Sequence, residues 1–283
     1  LRSAYIIIKR YENRYEFSER KRAMKKKLLC LVAGLTLGAM LLTGCGKSNG
    51  NTFTVGFDAE YPPYGYMDEN GEYTGFDLEL AQAVCDLEGW ELVKQPIVWD
   101  NKDNELNSGS IDCIWNGFTM DGREDDYAWS DPYVDNSQVI VVSADAGINQ
   151  LSDLNGKVVG VQAASAALAV LQDEEQQKAL ADTFGKLQEF ADYNTAFAEL
   201  EAGSVNAIAM DIGVAQYQID SRDAGKFIIL DEHLNSEQYA IGFALDNTEL
   251  RDTVNKDLHT LKENGTFDEL AEKYGLTDMV CLE

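Results

Sequence analysis

The chain has 283 residues, with 49 Asp and Glu against 23 Lys and Arg, a net charge of −26. The imbalance is uneven: residues 1–44 carry ten basic and three acidic side chains, and everything after them carries 13 basic and 46 acidic. A body this acidic excludes binding to phosphate backbones or docking on an anionic membrane through its own surface, whereas 45% hydrophobic and 10% aromatic residues exclude disorder and allow one or two cored domains.

The N-terminal stretch reads as an address. Lys25, Lys26 and Lys27 precede an apolar run from Leu28 to Leu42, too short for the ~20 residues of a spanning helix. A basic segment, a short apolar segment and small residues at its end form a secretory signal peptide, assigned to residues 24–44. Leu42-Thr43-Gly44-Cys45 resembles the bacterial lipobox, which makes Cys45 the expected lipidation site. Acyl chains such as palmitate on that residue would hold a secreted domain at the outer face of the cell membrane. Met24 sits directly before the basic cluster, so residues 1–23 are read as an extension upstream of the true start. Residues 45–52 are the lipidated cysteine and a polar tether.

Beyond the tether, short apolar strands alternate with amphipathic helices. Strands are predicted at Phe53–Phe57, Ile111–Trp115, Val139–Val142, Lys157–Val161, Ala207–Met210, Phe227–Leu230 and Ala240–Ala244. Helices are predicted at Asp77–Leu87 (with Asp77 as N-cap), from Ser165, and at Ala196–Ala202, Gly213–Ile219, Thr248–Lys262 and Phe267–Tyr274. This alternation gives parallel-rich α/β sheets, with too many units for one sheet, hence two lobes. Cys85 and Cys113 fall in apolar patterns and read as small buried hydrophobes. No Cys, His or carboxylate cluster has metal-ligand spacing, so neither a metal nor a cofactor is expected.

Ligands of open parallel sheets bind beyond the C-terminal ends of strands. Four such ends carry suggestive chemistry. The first offers Asp58, Tyr61 and Tyr64 around Pro62-Pro63; the second runs Asn116-Gly117-Phe118-Thr119 to Arg123; the third is Gln162-Ala163-Ala164-Ser165; the fourth is Asp211. A guanidinium and free helix amides suit an anion, and a carboxylate suits a cation, with aromatic walls between. Together they form the negative of a zwitterion. Each also has a plainer reading: Arg123 pairing with Asp125 or Asp126 at the surface, Asp211 and Ser165 as helix caps, Tyr61 and Trp99 as core aromatics.

Three stretches, Val55-Gly56-Phe57-Asp58 through Tyr61-Pro62-Pro63-Tyr64 to Gly75-Phe76-Asp77-Leu78, Gly109-Ser110-Ile111-Asp112 through Arg123 to Ser130-Asp131-Pro132-Tyr133, and Leu154-Asn155-Gly156-Lys157 with Val159-Gly160-Val161-Gln162, closely resemble the bacterial extracellular solute-binding proteins for amino acids, family 3, which serve ABC importers. Gly265-Thr266-Phe267 with Lys273-Tyr274-Gly275 resembles the family's C-terminal helix, so the likeness covers about residues 52–276. It implies a two-lobed, periplasmic-binding-protein-like (type II) α/β fold with a hinge of two crossing segments, near Val142–Ala144 and Gln238–Ile241. Lobe 1 would comprise residues 53–142 and 240–283, and lobe 2 residues 143–239.

The resemblance also implies roles. Arg123 would take the ligand α-carboxylate, helped by Thr119 and the N–H groups of Ser165 and Ala166. Asp211 would take the α-ammonium opposite the Gly117 carbonyl. Tyr61 and Trp99 would sandwich the side chain, Asp58 would face its polar end, and Asn116 would stand at a specificity position. Two departures bear on this. Thr119 to Arg123 is one residue shorter than the family's spacing, and Ala166 lacks the family's hydroxyl. The implied function is a monomeric, lipid-anchored receptor for a free polar amino acid, partnered by the permease subunits of an ABC transporter, and not an enzyme. The alternative is a dehydratase-type enzyme on the same fold, which needs an acid–base pair. Asp58, Glu60 and Asp211 are the candidates, and no His or Lys in the cleft is evident.

Overall fold

The computed structural model describes residues Thr52–Glu283. Residues 1–51, which include the expected signal peptide and Cys45, lie outside the described residues. Among the described residues, no helix is long and apolar enough to cross a membrane.

Two sheets organise the fold. The first contains β1 (Thr52–Phe57), β5 (Glu91–Pro96), β6 (Cys113–Ile114), β7 (Ala128–Trp129) and β14 (Gly242–Phe243), in the order β5-β1-β6-β14-β7. β1 is parallel to β5 and β6, and β14 is antiparallel to β6 and β7. A small hairpin sheet of β2 (Glu60–Tyr61), β3 (Gly65–Met67) and β4 (Tyr73–Thr74) follows β1 and leads into α1 (Phe76–Glu88). The second sheet contains β8 (Val134–Ser143), β9 (Val158–Gln162), β10 (Lys186–Phe190), β11 (Ala207–Asp211), β12 (Phe227–Ile229) and β13 (Asn235–Tyr239). Its order is β10-β9-β11-β8-β12, with β13 also paired to β8. β9, β10 and β11 are parallel, and β8 runs against its three neighbours.

The side chains explain the layers. β9 (VVGVQ) and β11 (AIAMD) are apolar nearly throughout, because helices cover both faces of a parallel sheet. Val159, Val161, Ile140 and Val142 pack with Leu168 and Leu171 of α2 (Ala166–Gln172), while Phe53, Val55 and Phe57 pack with Leu80, Ala81 and Val84 of α1. The C-terminal helices α3 (Thr248–Glu263) and α4 (Thr266–Lys273) return to the first sheet, where Leu258 and Phe267 join the core of α1.

One boundary differs from expectation. The first crossing was placed near Val142–Ala144, but β8 begins at Val134 and its whole length pairs within the second sheet. The chain therefore leaves the first sheet between Trp129 and Val134. It was hidden because Asp135-Asn136-Ser137-Gln138 reads as a polar loop. The return path runs beside the outward one: Tyr133 N–H donates to the Tyr239 carbonyl and Ser130 N–H to the Ile241 carbonyl, both at 3.0 Å. The Ser130 hydroxyl accepts from Ile241 N–H at 2.9 Å.

Candidate ligand-binding site

Parallel pairing puts the ends of β1 and β6 side by side, and likewise those of β9 and β11. The residues at and just beyond these four ends, with Trp99 after β5, converge on one narrow, nearly filled cleft, lined by Tyr61, Trp99, Asn116, Gly117, Phe118, Thr119, Arg123, Gln162, Ser165, Ala166 and Asp211. A larger, more open depression beside Asp103, Asp126 and Asp246 carries charge of one sign only.

Arg123 sits on a turn fixed by its own N–H donating to the Met120 carbonyl at 2.9 Å, and its carbonyl accepts from the Trp129 indole N–H at 3.0 Å. Its Nη1 donates to the Thr119 carbonyl at 3.0 Å, and its Cζ lies 5.2 Å from the Phe118 ring centroid. No carboxylate among the described residues lies within ion-pair distance of it, so the surface pairing with Asp125 or Asp126 does not form.

Asp211 stands at the N-cap position of the helix Ile212–Asp220 but makes no side-chain cap bond. Its Oδ1 instead accepts three donors: Asn136 Nδ2 at 2.9 Å, Gln138 Nε2 at 2.6 Å and the Tyr239 hydroxyl at 2.6 Å. The same two amides also donate to Glu237 Oε1, each at 2.8 Å. Thus two buried carboxylates share two neutral donors. Burial, and then the negative Asp211, raise the Glu237 carboxyl above its ordinary value.

Thr119 and Asp58 take parts other than those expected. The Thr119 hydroxyl lines the cavity but donates to Glu237 Oε1 at 2.8 Å, so it is engaged away from an anion; its carbonyl is what holds Arg123. Asp58 is not among the lining residues. Its Oδ2 accepts from Gln162 Nε2 at 2.7 Å and its Oδ1 from Glu60 N–H at 2.9 Å, so Gln162 stands between it and the cavity. Burial pushes the Asp58 carboxyl up to about 6, against the lowering effect of those two bonds.

The other residues are positioned by local structure. Ser165 caps α2, its Oγ accepting from Leu168 N–H at 3.1 Å, so the plain reading holds for its hydroxyl, and it lines the cavity too. Asn116 Oδ1 accepts from Asp58 N–H at 2.7 Å and ties two strand ends together. Gly117 has φ of 54°, and its N–H donates to Asp77 Oδ2 at 2.6 Å. Asp77 is fully buried and does not cap α1, whose N-cap is Gly75 without any side-chain bond. Burial raises its carboxyl to about 7, opposed by the Gly117 N–H.

Gln162 and Phe118 fall within strand ends named from the sequence but carry no expected role there, and Asn136, Gln138 and Glu237 fall outside them. Gln162 was visible, directly after an apolar strand; Asn136, Gln138 and Glu237 lie in polar stretches that carry no apolar alternation. Among the described residues, no group of three or more His, Cys, Asp or Glu could hold a metal ion.

Residues 53–277 match the model of the bacterial extracellular solute-binding proteins, family 3. The chain belongs to this family. Among its solute-binding relatives is the arginine-binding extracellular protein ArtP of Bacillus subtilis, 33% identical over 89% of this chain and 98% of that protein. The L-cystine-binding protein TcyJ of Escherichia coli K12 is 27% identical over 90% of this chain and 95% of that protein. A solved family structure, an ABC uptake transporter substrate-binding protein from Streptococcus pneumoniae with bound histidine, superposes with a TM-score of 0.75 at 31% identity, over 79% of this chain and 92% of that one. The fold is that of the type II periplasmic amino-acid-binding proteins, and these solute-binding relatives are binding proteins rather than enzymes.

Proposed function

We propose that this solute-binding protein is a lipid-anchored extracellular receptor that closes on one polar amino acid and delivers it to the permease of an ABC transporter. The observation that carries the reading is the pairing of Arg123 and Asp211 on one cleft, the first with no acidic partner among the described residues and the second with its donors gathered on Oδ1. Arg123 takes the α-carboxylate bidentately, and Asp211 Oδ2 takes the α-ammonium with the Gly117 carbonyl. Burying a zwitterion is costly unless both charges are paired, so molecules lacking either group are rejected.

The lobes divide at the paired crossings. Residues 52–132 and 240–283 form one lobe and residues 133–239 the other, with Arg123 on the first and Asp211 on the second. A ligand touching both has greater affinity for the closed state and thereby drives closure. Acylation at Cys45 keeps the receptor beside the permease as a monomer.

The side-chain end favours a donor. Gln162 Nε2 is spent on Asp58 and on the Ala191 carbonyl, at 2.7 and 3.1 Å, which leaves Gln162 Oε1 as an acceptor backed by a carboxylate. Between Tyr61 and Trp99, that end suits a guanidinium, an imidazolium or a carboxamide. Calorimetry with arginine, histidine, glutamine and cystine tests the reading. At least one binds the wild type, and Arg123→Ala loses binding by about a hundredfold or more with its circular dichroism unchanged. An Arg123→Ala protein of near-unchanged affinity would overturn it.

A further inference from the structure

Lys102 opens the short helix Lys102–Asn107, three residues after the cavity wall Trp99. It is only 5% exposed, and its Nζ makes no hydrogen bond or ion pair among the described residues. No lysine is expected at the cleft from the sequence, since Lys102 lies in a polar, acidic run. The ammonium instead lies 5.3 Å from the Trp99 ring centroid. Trp99 in turn meets Phe118 edge-on, with centroids 5.4 Å apart and planes at 90°. Arg123 lies on Phe118 at 5.2 Å. Two cations therefore bracket an aromatic pair, and both rings of that pair wall the cavity.

An ammonium on a side chain this far withdrawn from solvent, without a carboxylate in contact, is costly. Cation–π contact offsets part of that cost, and Asp103 and Asp100 help at longer range. Asp103 is itself occupied as the acceptor of the Tyr127 hydroxyl. Burial lowers the Lys102 pKa from its ordinary value, and Arg123 pushes in the same direction, as expected for neighbouring like charges. An anion arriving at Arg123 relieves both cations at once.

We propose that Lys102 is a positioning residue for the ligand's carboxylate, holding Trp99 in the cavity wall and doubling the positive charge at the Arg123 end. It does not line the cavity and acts through Trp99 and Arg123. The inference rests on the amino-acid reading of the cavity given above.

The test compares arginine with argininamide, which keeps the side chain and ammonium but replaces the carboxylate with a neutral amide. Calorimetry is run on the wild type and on Lys102→Met, Lys102→Gln and Lys102→Arg. In the Met and Gln variants the preference for arginine over argininamide falls by about threefold to tenfold, while Lys102→Arg keeps it within about twofold. The melting temperature of ligand-free Lys102→Met does not drop, because a poorly solvated ammonium without a carboxylate partner has been removed. A preference unchanged in both neutral variants, or equally reduced in Lys102→Arg, overturns the inference. Failure of the amino-acid reading is distinct: the wild type then binds neither compound, nor histidine, glutamine or cystine.

Discussion

Gln162 at the end of β9 donates to Asp58 at the end of β1, at 2.7 Å, joining strand exits that belong to different sheets. Gln162 is the residue that meets the cavity, and Asp58 decides which way its amide points. Gln162→Leu, of similar bulk, lowers affinity for whichever polar amino acid the wild type binds by about tenfold or more and narrows the preference for it over amino acids with apolar side chains. Asp58→Ala, which frees the amide to flip, has a smaller effect in the same direction. Calorimetry across the two ligand classes checks both; equal losses for polar and apolar amino acids would show that the pair only supports the fold.

Asp77 supplies a pH signature. Its folded pKa of about 7 lies above the ordinary value of 3.8, because burial penalises its charged form. The folded protein therefore holds a proton that the unfolded chain has released between about pH 4 and pH 7, and the stability this group contributes is lost as pH rises through that window. Asp77→Asn keeps an acceptor for Gly117 N–H and removes the titration. The melting temperature of the wild type minus that of Asp77→Asn becomes smaller from about pH 4 to pH 8; a flat difference in thermal unfolding would refute the assignment.

Gly117→Ala combines backbone strain with crowding. At φ of 54° a side chain is disfavoured, and an added Cβ would lie 3.0 Å from Tyr239, 3.1 Å from Tyr61 and 3.2 Å from Tyr64. The variant loses about 1–2 kcal/mol of stability and also binds ligand more weakly, since its carbonyl turns with the backbone. Denaturant unfolding and calorimetry on the same sample separate the two effects.

Ser165→Ala removes the cap of α2 and costs about 1 kcal/mol. Ser165→Asn or Ser165→Asp restores stability, but Asp also brings a negative charge to the end proposed to receive the carboxylate, and on that reading weakens binding. A stable Ser165→Asp protein with wild-type affinity would remove Ser165 from the carboxylate's surroundings.

The apolar strands were readable because they are buried on both faces: Phe53–Phe57, Lys157–Val161 and Ala207–Met210 each match a strand to within a residue or so. The apolar edge strand Phe227–Ile229 was readable too, but two polar edge strands were not. Glu91–Pro96 and Lys186–Phe190 are half exposed, and their mixed polar sequences carry neither an apolar run nor a clean alternation. The site followed the same division. Residues directly after apolar strands could be named in advance, whereas Asn136, Gln138 and Glu237 sit on strands whose inward side chains are polar because they satisfy one another. Asp58 and Thr119 stand at the right places in the chain, but which oxygen meets which donor depends on partners about a hundred residues away.

The sharing of two amides between Asp211 and Glu237 has a consequence for charge selection. Neutral carboxamides can orient two carboxyl groups but bring no counter-charge, so the cationic end of the proposed ligand is what this corner lacks. A guest that brings a proton-rich cationic head completes the balance; a neutral mimic of identical outline leaves it open. Discrimination at this corner is thus a matter of arithmetic in hydrogens and charge rather than of shape.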